Sequence, residues 1–230
     1  MFTVTILTIF PDLFPGPLGI SVIGRALKKK LWELDVKNIR NYATDKHKSV
    51  DDYPSGGGAG MIFKPDVLGD AIEATQKNFI NPKGKIIYLS PRGKLLTQKL
   101  AKKILSYKNI FLICGRFEGV DQRVLDHYEV EELSIGNYIL SGGETAAFVV
   151  IDACIRLIPG VLGKEISNKE ESFSPGTDYE SLVEYDQYTK PTKWKGLTVP
   201  EVLLGGNHKE IKKWRLKNAK TRTKKHRSDL

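Results

Sequence analysis

The sequence predicts an α/β fold: a mostly parallel sheet with helices on both faces, followed by a small basic helical domain. Three observations lead there. The first is a set of three apolar runs, each ending in a small-residue loop: Ile86-Ile87-Tyr88-Leu89-Ser90-Pro91, the run from Ile110 through Cys114-Gly115-Arg116-Phe117-Glu118-Gly119, and the run from Leu133 through Ser141-Gly142-Gly143-Glu144. Short continuous apolar runs bounded by turn residues read as strands buried on both faces. The second is that stretches of helical length separate these strands, and alternating strands and helices imply a parallel sheet. The third is charge. The segment from Lys190 to Leu230 holds 13 Lys/Arg and 3 Asp/Glu, so all of the chain's +9 excess lies in its last fifth. Such asymmetry points to a polyanionic partner, a nucleic acid or an anionic membrane.

The elements follow in order. Residues 3–9 alternate as a strand does. Residues 20–33 place Ile20, Ile23, Leu27 and Leu31 on one helical face. A short strand lies near 36–39, and residues 41–64 form a long polar, glycine-rich loop. A helix begins at Pro65-Asp66, since proline suits the first helical turn, with Val67, Leu68, Ala71 and Ile72 as its apolar stripe. Then come strand 85–90, helix 97–106, strand 109–114, a short helix over 121–127, strand 129–135 and an apolar helix over 143–157, broken by Pro159-Gly160. Residues 161–190 are rich in Ser, Glu, Asp, Gly and Pro and read as a flexible interdomain linker. The predicted division is therefore a domain over 1–160, the linker over 161–190 and a basic helical domain over 191–230. Within the last, residues 200–204 read as a short helix. Asn207 and Glu210 read as the capping pair of a helix over 208–220, with Ile211, Trp214 and Ala219 facing inward.

Composition narrows the class. The chain has 230 residues, 40% hydrophobic and 27% charged, as expected of a soluble globular protein. No apolar run approaches the roughly 18–20 residues needed to span a bilayer. The chain opens directly on a strand pattern, so no secretory signal is expected. Cys114 and Cys154 sit in apolar segments and read as reduced core thiols, which makes neither a disulfide framework nor a zinc site and predicts a cytoplasmic location.

Single motifs leave alternatives open. Ser55-Gly56-Gly57-Gly58-Ala59-Gly60 lacks the Gly-Lys-Ser/Thr ending of a phosphate-binding P-loop and follows no strong strand. With Asp45, Lys46, His47, Lys48, Asp51 and Asp52 beside it, it reads as a loop that touches a large substrate or as a plain surface loop. Glu118 just after a strand suits a ribose or amino group. Arg116 and Arg123 suit carboxylates or phosphates, and structural ion pairing fits them equally well. Arg156 ends an apolar helix, where a guanidinium either serves chemistry or interacts with the helix dipole. On composition, Glu170 and Glu171 are solvated acids.

Taken together, the three loops, the Asp-His-Lys/Asp-Asp/Gly-Gly-Gly segment, Arg-Leu-Ile-Pro-Gly-Val-Leu-Gly at 156–163 and Leu-Leu-Gly-Gly-Asn-His-Lys-Glu-Ile-Lys-Lys-Trp-Arg at 203–215 resemble the bacterial tRNA (guanine-N1)-methyltransferases over essentially the whole chain. That resemblance implies the SPOUT class, whose C-terminal part of the α/β domain threads a deep trefoil knot, against the rule that chains avoid knots. It implies methyl transfer from S-adenosylmethionine to N1 of the guanine just 3′ of the anticodon, position 37 of tRNA. Carried over, the cofactor residues are Tyr88, Leu89, Ser90 and Pro91; Gly115, Glu118 and Gly119; and Ser134, Ile135, Gly136, Asn137, Tyr138, Ile139, Leu140, Gly142 and Gly143. Backbone groups of Leu89, Gly115, Ile135, Tyr138 and Leu140 would hold the adenine, and Glu118 would face the charged methionine end. Arg156 would stabilise charge at guanine O6. An acid of the partner chain's linker would remove the N1 proton, Glu171 with Glu170 as the fallback. The resemblance also implies a homodimer with shared active sites and a C-terminal domain that grips tRNA. Mg²⁺ is associated with the reaction, without a fixed protein site. This chain departs from the family pattern in places: Glu171-Ser172-Phe173 replaces Asp-Ser-Phe, Thr177-Asp178-Tyr179-Glu180 is inserted, and Asp186 replaces a proline. In the glycine loop, Tyr53, Ser55 and Ala59 stand where Arg, Tyr and Pro are frequent.

Overall fold

The computed structural model describes residues 1–77, 84–162, 171–227 and 229, and divides the chain into two compact units, residues 1–163 and 164–230. In chain order the first unit carries β1 (Phe2–Thr8), α1 (Ser21–Lys28), β2 (Trp32–Asn38), β3 (Asp51–Asp52), β4 (Ile62–Phe63), α2 (Pro65–Lys77), β5 (Lys85–Leu95), α3 (Gln98–Leu105), β6 (Asn109–Cys114), α4 (Gln122–His127), β7 (Glu131–Ser134) and α5 (Gly143–Ile155). The second carries β8 (Lys193–Trp194), β9 (Leu197–Thr198), α6 (Glu201–Leu204) and α7 (His208–His226).

Five strands form a wholly parallel sheet in the order β2-β1-β6-β5-β7. The two-residue period of a strand sorts its side chains between two cores. Val4, Ile6, Ile87, Leu89, Ile110 and Leu112 point to the face covered by α1, α3 and α5. Leu7, Ile86, Tyr88, Phe111 and Ile113 point to the face covered by α2 and α4. Helices on both faces are thus as the sequence predicts.

β5 is irregular in a way that matters for the site. Leu133 of β7 pairs with both Leu89 and Lys94, so Ser90 through Gly93 leave the ladder and the strand then rejoins it. Arg92 closes the excursion. Its N–H donates to Ser90 Oγ at 3.2 Å, and its guanidinium donates to Glu132 at 3.0 Å.

The first helix is shorter than its stripe predicts. It ends at Lys28, where Lys30 turns left-handed (φ 55°), the Lys30 N–H donates to the Leu27 carbonyl and the Leu31 N–H donates to the Ala26 carbonyl. This pair of bonds is a Schellman stop. Leu31 keeps the helical spacing only because it is the apolar residue that packs back beneath the stop. β2 then begins at once with buried Trp32, well ahead of the predicted 36–39.

The second unit gathers residues assigned to the linker. Tyr179 and Tyr185 are buried against Ala219, with Leu182 and Trp214 beside them. The Val183 N–H donates to Thr223 Oγ1 at 3.0 Å, and the Asp186 N–H donates to Asn218 Oδ1 at 2.7 Å. The Asp186 carboxylate accepts from Asn218 Nδ2 at 3.0 Å and from Arg222. Residues 171–188 are therefore packed onto α7 rather than strung out. Asn207 caps α7 by accepting from the Lys209 and Glu210 N–H groups, while the Glu210 side chain turns to Lys213 instead of back to the cap. The helix runs to His226, six residues beyond the sequence expectation. Among the described residues no helix is long and apolar enough to cross a membrane.

Candidate active site

In open α/β sheets ligands bind beyond the carboxyl ends of the strands. Here β6, β5 and β7 are neighbours, and the segments leaving them enclose a cleft of about 740 Å³, within the usual range for a cofactor site. The excursion from β5 supplies Leu89 to Arg92, the turn after β6 supplies Gly115 to Arg123, and the segment between β7 and α5 supplies Ser134 to Gly136 and Tyr138 to Gly143. Every cofactor residue inferred from sequence lines this cleft except Asn137. Tyr138, Ile139 and Leu140 hold apolar side chains open to solvent there, as does Phe117 across the cleft. Exposed apolar groups clustered in a concavity mark a binding surface.

The walls are tied to one another. The Gly143 N–H at the start of α5 donates to the Gly115 carbonyl at 2.8 Å. A Cβ on Gly143 would stand 2.7 Å from Cys114 Cα and 2.8 Å from the Gly115 nitrogen, so only glycine lets helix and strand end meet this closely. Tyr88 is buried with its ring against Gly115, and burial raises its phenol above the ordinary value. Ser134 Oγ accepts from the Gly136 N–H at 3.2 Å, and the Tyr138 hydroxyl donates to the Ile135 carbonyl at 3.1 Å.

The glycine-rich loop reaches the same place. Its base is the β3–β4 pair, a short antiparallel ladder inside the segment that the sequence predicts as loop. Phe63 of β4 donates its N–H to the Gly119 carbonyl at 3.0 Å, and Glu118 donates its N–H to Met61 at 2.9 Å. Gly60 (φ +88°) lies under the Glu118 side chain, 2.4 Å from where a Cβ would stand. Ser55 and Ile62 join the lining of the cleft. Asp45 serves its own loop, accepting from the Ser49 hydroxyl and N–H at 2.9 Å each, and the hydroxyl bond holds its carboxyl below the usual value.

Arg116 and Arg123 both form ion pairs. Arg123 pairs with Asp121 at 2.8 Å on the surface. Arg116 turns inward to Glu144, which is only 1% exposed. Sequence reading missed Glu144: an acid in the first turn of a helix is ordinary, and its partners Thr8 and Arg116 are distant in the chain. Arg156 follows α5 directly, half-buried, at the end opposite Gly143. Thirteen residues of helix separate the two ends by about 20 Å. Glu171 belongs to the second unit and is half-buried, while Glu170 lies outside the described residues. Among the described residues no group of three or more His, Cys, Asp or Glu side chains gathers to hold a metal ion.

Comparison with known proteins agrees with this geometry. Residues 2–230 match the family model described as tRNA (Guanine-1)-methyltransferase TrmD. A tRNA (guanine-N(1)-)-methyltransferase of Wolbachia pipientis wMel is 53% identical over 229 residues, covering 100% of this chain and 95% of the relative. Its namesake in Anaplasma marginale (strain St. Maries) is 52% identical over 225 residues, covering 98% and 92%. That in Ehrlichia canis (strain Jake) is 52% identical over 227 residues, covering 99% and 94%. With one cleft built from the carboxyl ends of three adjacent parallel strands, and with similarity running along its whole length, this chain belongs to the tRNA (guanine-1)-methyltransferase family.

Proposed function

We propose that this enzyme transfers the methyl group of S-adenosylmethionine to N1 of guanine 37 of tRNA, beside the anticodon. The observation that carries the reading is the convergence of three strand-end loops on one cleft whose lining is rich in glycine and mixes apolar with polar side chains. The residues present fit this cofactor. Main-chain groups around Leu89, Gly115, Ile135, Tyr138 and Leu140 suit the edge of an adenine, the exposed Tyr138, Ile139 and Leu140 side chains suit its faces, and the rim carboxylate of Glu118 suits a cationic amino group. When bound, the cofactor supplies an electrophilic methyl on a sulfonium.

The chain's own residues handle the guanine. N1 of guanine carries a weakly acidic proton, so attack on a methyl group needs a base. Glu171 takes that role from the linker of the second copy, with Glu170 next in line. As the proton leaves, negative charge moves towards O6, where the Arg156 guanidinium stabilises it. Selection of guanine rests on hydrogen bonds to its edge with the base turned out of its stack.

Arg156 also argues for two copies. Within one chain it stands about 20 Å along α5 from the cleft end of that helix. In an antiparallel homodimer, the Arg156 of one copy reaches the cleft of the other. Exposed Phe10, Leu13, Ile20 and Val149, apolar residues of the same unit, are suited to such an interface. The SPOUT knot and a cytoplasmic site of action belong to the same proposal. The knot rests on the family likeness.

The test is to incubate the enzyme with labelled S-adenosylmethionine and an unmodified tRNA transcript, digest the RNA and identify the nucleoside. Recovery of 1-methylguanosine, lost when guanine 37 is replaced, is the expected result. Glu171→Gln should abolish turnover and leave cofactor binding intact. Wild-type turnover in that variant would remove Glu171 from the mechanism.

A further inference from the structure

The second unit presents an aromatic group that its own fold does not use. β8 and β9 form a hairpin whose two-residue tip, Lys195 (φ 46°) and Gly196 (φ 82°), has the left-handed backbone of a tight hairpin turn. The ladder pairs Trp194 with Leu197, and the Val199 N–H donates to the Thr192 carbonyl at 3.0 Å, which closes the base. Directly paired residues project to the same side of a two-stranded ribbon. Trp194 and Leu197 therefore stand side by side, 59% and 70% exposed. Residues 191–198 are all exposed, and the unit's small core of Tyr179, Tyr185 and Ala219 does not include them.

The hairpin itself carries charge of one sign, and exposed Glu201 follows directly after it. From Gln187 to Pro200 the sequence has Lys190, Lys193 and Lys195 and no acid. The Lys195 ammonium lies 5.0 Å from the centroid of the Trp194 ring. Beyond it, α7 presents Lys209 and Lys217 on exposed positions, together with Lys212 and Lys213, which pair with Asp178 at 4.0 Å and Glu210 at 2.9 Å. A protein partner would have to bring its own acids to this surface. A nucleic acid brings phosphates for the lysines and base faces for the indole at once.

We propose that the β8–β9 hairpin is an RNA-stacking contact, in which Trp194 stacks on an unpaired base of the tRNA while Lys193 and Lys195 meet the adjoining phosphates. The proposal rests on the reading of this chain as a tRNA methyltransferase and adds a surface to it. Stacking on an indole is tolerant of base identity, so the contact contributes affinity and leaves the choice of methylated guanine to the cleft.

The experiment measures equilibrium binding of an unmodified tRNA transcript to the full chain, with methylation of the same transcript followed in parallel. Trp194→Ala should weaken binding about ten- to a hundredfold. Trp194→Phe should keep most of the affinity, and Trp194→Leu, apolar but without a π face, should not restore it. Lys195→Ala should lower the slope of affinity against salt, which Trp194→Ala should leave unchanged. Calorimetric affinity for S-adenosylmethionine should be the same in all variants. Trp194→Ala binding tRNA as tightly as wild type, with methylation intact, would overturn this inference alone. Trp194→Leu matching wild type, or Trp194→Ala splitting an assembly of copies in the ultracentrifuge, would assign the hairpin to protein contact and overturn it too. A wild-type chain that neither binds nor methylates tRNA would overturn the parent reading, and this one with it.

Discussion

Arg116 and Glu144 form one inward-facing ion pair that joins the turn after β6, the entry to α5 and the end of β1. Arg116 Nε and Nη2 each lie 2.9 Å from Glu144 Oε2, while Thr8 at the end of β1 donates to Oε1 at 2.6 Å. The remaining guanidinium nitrogen donates to the Ser141 carbonyl at 3.1 Å, and the group lies 4.5 Å from the centroid of the Phe10 ring. Removing one member of such a pair strands the other. Glu144→Ala should destabilise the first unit by about 3 kcal/mol, the low end for a buried pair because Arg116 keeps some contact with water. Thr8→Val should cost about 1–3 kcal/mol by leaving a carboxylate oxygen without its donor. Both changes should also weaken cofactor binding, since the β6 turn and the entry to α5 lose their common tie. Urea denaturation and calorimetry measure the two effects. An unshifted midpoint in Glu144→Ala would show that the pair holds nothing together.

Gly143→Ala tests the closeness of that entry. The added methyl meets main-chain atoms of Cys114 and Gly115, which cannot swing aside as a side chain would. The start of α5 must move away from β6, opening the cleft. Affinity for S-adenosylmethionine should fall at least about tenfold, on the order of 1.4 kcal/mol. Titration calorimetry decides, and unchanged affinity would show that the wall can shift freely.

Mixing two inactive variants tests the shared site. Arg156→Ala keeps its own cleft, while a variant without cofactor binding keeps its arginine. If each active site draws on both copies, re-association of equal amounts should restore about a quarter of wild-type activity, because half of the pairs are mixed and each has one whole site. No recovery, despite mixed dimers detected by mass, would place Arg156 and the cleft it serves on one chain.

The two thiols give a pH-dependent prediction. Burial pushes Cys154 up to about 12 and Cys114 well above 9.0, the latter helped by the nearby Glu144 carboxylate. The thiolate is the reactive form, so a disulfide reagent at pH 9 should label the native chain at least about a hundredfold more slowly than the unfolded one. A folded-state value above the unfolded value means that the contribution to stability is complete below pH 9 and fades as pH rises towards 12. Cys154→Val should flatten that decline in denaturation midpoints taken across the range.

What could be read from the sequence depended on how local each feature is. The three segments that meet in the cleft were legible because each is a single stretch whose strand, turn and glycines are adjacent in the chain. The end of α1 was not, since Leu31 keeps helical spacing while serving a Schellman stop, and a periodicity argument counts it as helix. Residues 171–188 look polar and unpatterned, yet Tyr179 and Tyr185 find their apolar partners on α7, a relation that only folding supplies. Glu144 escaped for the same reason, its partners Thr8 and Arg116 lying 136 and 28 residues away. Arg156 was found through family likeness. Its distance from the cleft along α5 emerged only with the helix in place.

The double pairing of Leu133 makes the first wall of the cleft a clamped arch. Both feet of the Ser90–Gly93 excursion stand on the same rung of β7, and a Cβ on Gly93 would lie 2.2 Å from the Leu133 nitrogen. The arch therefore has no slack. Its conformational freedom is surrendered when the chain folds, so a ligand arriving later has little left to order. The same clamp makes it intolerant of length change, because one added residue would turn every later side chain of β5 to the opposite face.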